Sequence, residues 1–248
     1  MKKNKTIFLF LIVVTIGSFF FYVLKNQINN FYIINVSKKI NEYKIKGIDV
    51  SHHQGNINWE KINIDSVKFV FLKSTQGNSY VDSKFKINVK NIRKKNIPIG
   101  AYHYYIVKNN PVKQFENFTK HTPKNIINLP PIIDIEFGGN EELMNENNKE
   151  SFIRDFTLFE KLISDFYGKK PIFYTSGKLY NLFLKNNFNN KIWICDFSSK
   201  RINYVSIEKI IFWQHSDKGK INGIPTNVDL NVFTGDEKEF QDLITKIY

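Results

Sequence analysis

The chain has 248 residues, 42% of them apolar, and carries a net charge of +13. That is ample material for a packed core in one large domain or two small ones. The single cysteine, Cys195, excludes an intramolecular disulfide and a zinc site built on thiolates. Lys, Asn and Ile recur throughout and the basic residues are scattered. No Lys/Arg run is interleaved with aromatics, so nucleic acid is not an expected partner. The charge suits a polyanionic partner such as a bacterial wall or an anionic membrane surface.

Along the chain, Lys2, Lys3 and Lys5 precede residues 6–24, nineteen uncharged and mostly apolar residues closed by Lys25. At helical rise this run spans about 28 Å, close to the hydrocarbon thickness of a bilayer. The basic flank predicts a cytoplasmic N-terminus, with everything after Leu24 across the membrane. A cleavable signal peptide is the rival reading, but residues 18–23 are bulky and offer no small-x-small site, which favours an uncleaved anchor. Residues 26–45 read as a polar tether. From 46 onward, short β-rich runs alternate with amphipathic stretches. Strands are predicted at 47–51, 69–74, 97–105, 132–136, 172–175, 192–197, 210–215 and 228–232. Phe85, Val89 and Ile92, and then Phe152, Phe156, Phe159 and Ile163, recur at helical spacing. Pro98 and Pro171 each mark a return to a strand, and a helix over 237–247 closes the chain. Eight strands with helices between many of them predict an α/β fold, a modified (β/α) TIM-like barrel over 46–248. It follows an anchor over 1–25 and the tether over 26–45. An open doubly wound sheet fits less well, because no Gly-rich phosphate turn follows the first strand. One domain and a monomer are the economical expectation.

The most informative feature is Pro131-Ile-Ile-Asp-Ile-Glu136. On a strand, Asp134 and Glu136 share one face, with Cα atoms about 6.6 Å apart, twice the strand rise. Two carboxylates so close do not both ionise cheaply, so one acidity weakens, as general acid chemistry on a glycosidic bond requires. Asp49 in Gly-Ile-Asp-Val-Ser and Asp229 in Asn-Val-Asp-Leu-Asn are also flanked by apolar residues. In a barrel of parallel strands, four such acids at strand ends converge on one rim. Tyr102, Tyr104, Tyr174, Trp193 and Trp213 fall in or beside predicted strands and supply rings on which pyranose faces pack, or core. Gln214 is positioned to hydrogen-bond a pocket acid or an acetamido group.

Asp49-Val-Ser-His-His-Gln-Gly55, with Trp59 behind it, resembles the opening of glycoside hydrolase family 25, the lysozyme-type N-acetylmuramidases. The likeness continues in family order through Phe69-Val-Phe-Leu-Lys-Ser-Thr-Gln-Gly77, Gly100-Ala-Tyr-His-Tyr104, Pro131–Glu136, Trp193-Ile-Cys-Asp-Phe197, Phe212-Trp-Gln214 and Val228-Asp-Leu-Asn-Val-Phe233. The resemblance implies cleavage of the β-1,4 bond between N-acetylmuramic acid and N-acetylglucosamine in peptidoglycan. It implies Glu136 as proton donor, Asp134 as its partner, Asp49 and Asp229 as further pocket acids, and Trp193 and Tyr174 among the sugar-lining residues. Two departures stand out. Gln76 takes a place where the family often has Glu and cannot titrate. Trp193–Phe197 replaces a Trp-Ile-Ala-x-Tyr pattern, losing a hydroxyl and gaining a carboxylate.

Three routes for the acid pair stay open at this point. A retaining pair needs carboxyls about 5–5.5 Å apart and an inverting pair about 6.5–9.5 Å, while the substrate's 2-acetamido group can itself be the nucleophile. Two acids on one side of the pocket fit the third route best, with Glu136 protonated and Asp134 ionised. The expected rivals are a wall-binding barrel that grips glycan without cutting it, and a chitinase-type hydrolase. Against the latter, Leu129, Pro130 and Ile132 stand where a longer Asp-x-x-Asp-x-Asp-x-Glu run carries its pattern. His52 and His53, adjacent on a strand, would point to opposite faces and chelate no ion easily, and His103 is expected to hydrogen-bond within the barrel. Neither a metal nor a cofactor is expected. Cys195 reads as inert core.

Overall fold

The computed structural model describes Ser18 and residues 21–25, 40–197 and 207–244. The chain divides into two compact units, 1–42 with 198–201, and 43–197 with 202–248. In the first unit, Ser18 and residues 21–25 and 40–42 are helical. The rest of the expected membrane-crossing run, and the tether up to residue 39, lie outside the described residues. Among the described residues no helix is long and apolar enough to cross a membrane.

The second unit is built on one nine-stranded sheet: β1 (Lys46–Val50), β2 (Phe69–Gln76), β3 (Tyr80–Val81), β4 (Ile99–Tyr104), β5 (Ile132–Asp134), β6 (Ile172–Ser176), β7 (Ile192–Cys195), β8 (Ile210–Gly219) and β9 (Val228–Phe233). The order is β1-β9-β8-β7-β6-β5-β4-β2-β3, and β1 also pairs with β2. Eight strands therefore close a barrel, with β3 folded back on β2 as a short antiparallel partner. Each barrel strand overlaps a predicted run. The barrel is modified at its seam. Seven strands run parallel, whereas β9 is antiparallel to both β8 and β1. The stretch 220–227 between β8 and β9 is too short for a helical crossover, which takes a dozen residues or more, so the chain turns straight back.

Helices α1 (Phe85–Arg93), α2 (Pro111–His121), α3 (Lys149–Tyr167), α4 (Gly177–Leu179) and α5 (Glu237–Leu243) connect and close the strands. The faces predicted for α1 and α3 are the buried ones. Helix α2 escaped the periodicity because its buried face is Pro111, Gln114, Asn117 and Phe118, half of it polar. Its signal lay in the cap instead: Asn110 accepts from the Val112 and Lys113 amides, and Pro111 occupies the first turn. The last helix is shorter than predicted, ending at Leu243.

Alternate residues of the strands point inward, and there they are mostly aromatic. Phe69, Phe71, Ile132, Ile172, Tyr174, Trp193, Phe212 and Phe233 belong to one buried cluster. The Phe71 ring lies 4.4 Å from Trp193 and 4.9 Å from Phe212, centre to centre. Each such side chain contributes roughly 1.5–3 kcal/mol by leaving water. Rings this large fit because small residues face them. A Cβ on Gly47 would lie 2.5 Å from the Phe69 ring, and one on Gly100 would lie 2.5 Å from the Phe71 ring. Gly100→Ala is therefore expected to cost about 1–3 kcal/mol through overpacking. Thermal unfolding checks this, and an unchanged midpoint would show that the Phe71 ring yields freely.

Candidate active site

The C-terminal ends of the parallel strands form one rim, and antiparallel β9 starts there. Asp49 is the fourth residue of β1, Asp134 the last of β5, and Asp229 the second of β9. Asp49 and Asp229 are cross-strand partners. The four predicted acids thus converge, with one correction: Asp229 reaches the rim from the beginning of its strand, because its strand is reversed. A second correction concerns Glu136, which lies two residues beyond the end of β5 rather than within it. Its backbone is still held. The Tyr105 amide donates to the Asp134 carbonyl, the Ile135 amide to the Tyr174 carbonyl, and the Asn140 side chain to the Glu136 carbonyl. Asn140 also bonds the Tyr105 carbonyl and the Val107 amide, tying the loop after β5 to the end of β4.

Beneath the rim runs a chain of hydrogen bonds. Asp49 Oδ2 accepts from Gln214 Nε2 at 2.9 Å and from Asn231 Nδ2 at 2.7 Å. The Tyr174 hydroxyl donates to Gln214 Oε1 at 2.7 Å, and Trp193 Nε1 donates to Asn231 Oδ1 at 2.8 Å. Each amide is thus engaged at both ends, which fixes its orientation and aims two donors at one carboxylate.

Burial dominates the acidities. It pushes the Asp49 carboxyl well above the ordinary range, helped by the charge of Asp229 and opposed by the Asn231 and Gln214 amides. Asp229 is also raised by burial, with a hydrogen bond from Asp49 opposing. Asp134, only 4% exposed, is raised well above its usual value by burial and then by the charge of Glu136. Glu136 is raised by burial, while a hydrogen bond from Asp134 and the Lys73 ammonium pull it down. Burial therefore disfavours ionising both members of the pair at once, and the two carboxyls hydrogen-bond each other. Asp134 Oδ1 is buried without a hydrogen-bond partner.

The predicted sugar contacts divide into two groups. Tyr102 and Tyr104 are half-buried at the rim. Burial, then the charges of Asp49 and Asp134, raise the Tyr102 hydroxyl well above its usual value, so it remains a neutral donor. The Tyr104 hydroxyl donates to the Gly138 carbonyl in the loop after Glu136. Tyr174 and Gln214 are buried in the network. Trp193 is 2% exposed, with its ring packed against Phe71 and Tyr174. It has no open face for a sugar, so it supports the site from below rather than lining it. Trp213 also lies apart, its indole donating to the Asp196 carbonyl.

His52 and His53 do not alternate on a strand as expected. Ser51 caps a 3-10 turn over His52–Gln54, and the two rings lie 4.0 Å apart. His52 is tied to Asp82 through both its backbone amide and Nδ1. His103 is held by Thr75 and Gln114, and burial pushes its pKa down to about 3, so it is a neutral core residue. Cys195 is half-buried at the rim rather than sealed in the core, and burial pushes its thiol up to about 12. Among the described residues no cluster of His, Cys, Asp or Glu has the geometry to hold a metal ion. Sequence reasoning missed Lys73, Asn231, Asp82 and Asn140 as parts of the site.

A closed barrel with buried, proton-sharing carboxylates on the strand-end rim has the architecture of a glycoside hydrolase. The profile of the glycosyl hydrolases family 25 matches residues 48–224, and the chain belongs to that family. It is 30% identical over 211 residues to Uncharacterized protein YegX of Escherichia coli (strain K12), covering 83% of this chain and 75% of that protein. It is 26% identical over 213 residues to Lysozyme M1 of Streptomyces globisporus, covering 77% and 68%. A solved family 25 glycosyl hydrolase from Bacillus anthracis superposes with a TM-score of 0.73 at 33% identity, over 81% of this chain and 93% of that one.

The raised pKa of Asp134 has a consequence for stability. A carboxyl that folding makes a weaker acid adds stability that is complete below the ordinary carboxylate range and is lost as pH rises through its folded value. Asp134→Asn keeps the shape and removes that loss. It is expected to melt above the parent at pH 7, with the gap closing below about pH 4, where the parent carboxyl is protonated in the folded and unfolded chain alike. Thermal melts across pH test this, and an equal gap at both ends would contradict it.

Proposed function

We propose that the chain hydrolyses the β-1,4 bond between N-acetylmuramic acid and N-acetylglucosamine in bacterial peptidoglycan. Glu136 is the general acid, and Asp134 assists the substrate's own acetamido group. Family membership and the likeness to a protein named as a lysozyme support the substrate class.

The observation that carries the mechanism is the Asp134–Glu136 pair itself. The two carboxyls hydrogen-bond each other, so no sugar carbon fits between them, as it would between an acid and an opposed nucleophile or base. A nucleophile within the substrate resolves this. The acetamido N–H donates to Asp134 Oδ1, the buried oxygen without a partner. That bond favours ionised Asp134, and the shared proton passes to Glu136. The acetamido oxygen then attacks the anomeric carbon as the glycosidic C–O bond breaks, and Glu136 delivers its proton to the leaving oxygen. Asp134 balances the positive oxazolinium. Water next attacks the same carbon, giving a proton back to Glu136 and restoring the acetamido group. Asp49 and Asp229, with Tyr102 and Tyr104, complete the pocket around the reacting sugar.

The basic flank and the apolar run over 6–24 support a single-pass anchor, with the barrel over 46–248 working outside the cytoplasmic membrane against the wall. If that run is cleaved, the same barrel is secreted.

Glu136→Gln is expected to lower the release of reducing ends from purified insoluble peptidoglycan by about 10²–10⁴-fold. The variant should still sediment with the wall. A near-normal rate would sink the assignment of Glu136, and chitin oligomers cut as fast as wall glycan would sink the substrate assignment.

A further inference from the structure

Among the described residues, Lys73 is the cation that stands among the acids of the rim. It follows Phe69 and Phe71 on the inward face of β2 and is the strand partner of Tyr102. The strand bulges immediately afterwards, between Lys73 and Thr75. A bulge bends the strand and re-aims its side chains, which is how a lysine on an otherwise aromatic face comes to the rim. The Lys73 ammonium donates to Gln76 Oε1 at 2.8 Å and lies 4.9 Å from the Tyr104 ring centre and 5.7 Å from that of Tyr80. Among the described residues it forms no ion pair. Its seat is nevertheless built around the carboxylate pair. Tyr104 is the strand partner of Asp134, and its hydroxyl holds the loop that follows Glu136. The partner at position 76 is an amide, which accepts a hydrogen bond without neutralising the charge.

We propose that Lys73 is a positioning residue that holds one negative charge on the Asp134–Glu136 pair, and that the uncharged Gln76 leaves the ammonium free to do so. The inference rests on the catalytic reading of that pair. Its balance is set by the groups facing Lys73 from the surrounding elements. These are Asp134 and Glu136 from β5 and its loop, Tyr102 and Tyr104 from β4, Tyr80 from β3, and Asp82 just after it. His52 from the turn after β1 binds Asp82, and Asp49 and Asp229 complete the rim. Burial pushes the ammonium's pKa down, and the charges of Asp134, Asp82 and Glu136 hold it up in return. The same ammonium draws the Asp134 and Glu136 carboxyls down against their burial. Without it, two desolvated acids would share a site with one counter-charge fewer and would bind protons more tightly.

The test uses the full chain and its K73M, K73R and Q76E variants, read in two ways. One is the pH profile of reducing-end release from purified peptidoglycan. The other is a ¹³C carboxyl titration of Asp134 and Glu136, which needs no turnover. Removing the positive charge makes both carboxyls hold protons to higher pH, so both limbs of the profile in K73M should move up by about one pH unit. K73R should restore the parent limbs. Q76E gives Lys73 a carboxylate of its own and should move the limbs in the same direction by less. K73M limbs and carboxyl midpoints that coincide with the parent, with only the rate scaled, would overturn the proposal. Should K73M fail to fold, unmoved carboxyl midpoints in Q76E would overturn it equally. A parent chain that releases no reducing ends would defeat the functional reading instead, and the titration would still decide the role of Lys73.

Discussion

The rim is governed by one constraint: carboxylates are taken out of water without a cation for each. An acid in that position must be hydrogen-bonded, paired or protonated. The barrel uses all three solutions. Asp49 is held by two amide donors, burial disposes Asp134 and Glu136 to hold a proton between them, and Lys73 supplies a positive charge nearby. Neutral amides are the telling choice. They satisfy the oxygens of Asp49 while leaving its charge state free to respond to a neighbour, which a guanidinium would not.

The fold is arranged to make that constraint bearable. Closing the barrel with a reversed strand brings the start of β9, and so Asp229, beside Asp49. The aromatic plug below keeps water from entering from the other end. It also carries two polar tips, the Tyr174 hydroxyl and the Trp193 indole, that orient the amides of the layer above. Packing and electrostatics are therefore one structure read at two heights. The Phe71 ring touches Trp193, Trp193 holds Asn231, and Asn231 holds Asp49.

Much of this was legible from residue order. Eight strand runs, the buried faces of α1 and α3, and the four acids follow from period-two and helical spacing. What escaped did so for physical reasons. Helix α2 buries Gln114 and Asn117, whose hydrogen bonds lie far away in sequence, so no apolar stripe marks it. The direction of β9 was invisible because alternation does not encode polarity; only the short link after Gly219 hinted at a reversal. Trp193 looked like a sugar platform because an indole in a strand reads the same whether its face is open or covered. Lys73 and Asn231 were detectable in principle, as polar side chains on faces otherwise given to Phe69, Phe71 and Phe233. The burial that weakens both acids of the pair depends on depth in the barrel, which spacing does not contain.

Gln76 and Phe197 mark where this chain differs from the family pattern it resembles, Gln76 bonded to Lys73 at the rim and Phe197 exposed just beyond β7. The acid pair, the amide network and the barrel are intact around them, which supports retained chemistry with an altered electrostatic setting. The most direct test of the account is mass analysis of the fragments released from purified peptidoglycan by the full chain. The account predicts N-acetylmuramic acid at every new reducing end. N-acetylglucosamine at those ends, or glycan bound but left uncut, would contradict it.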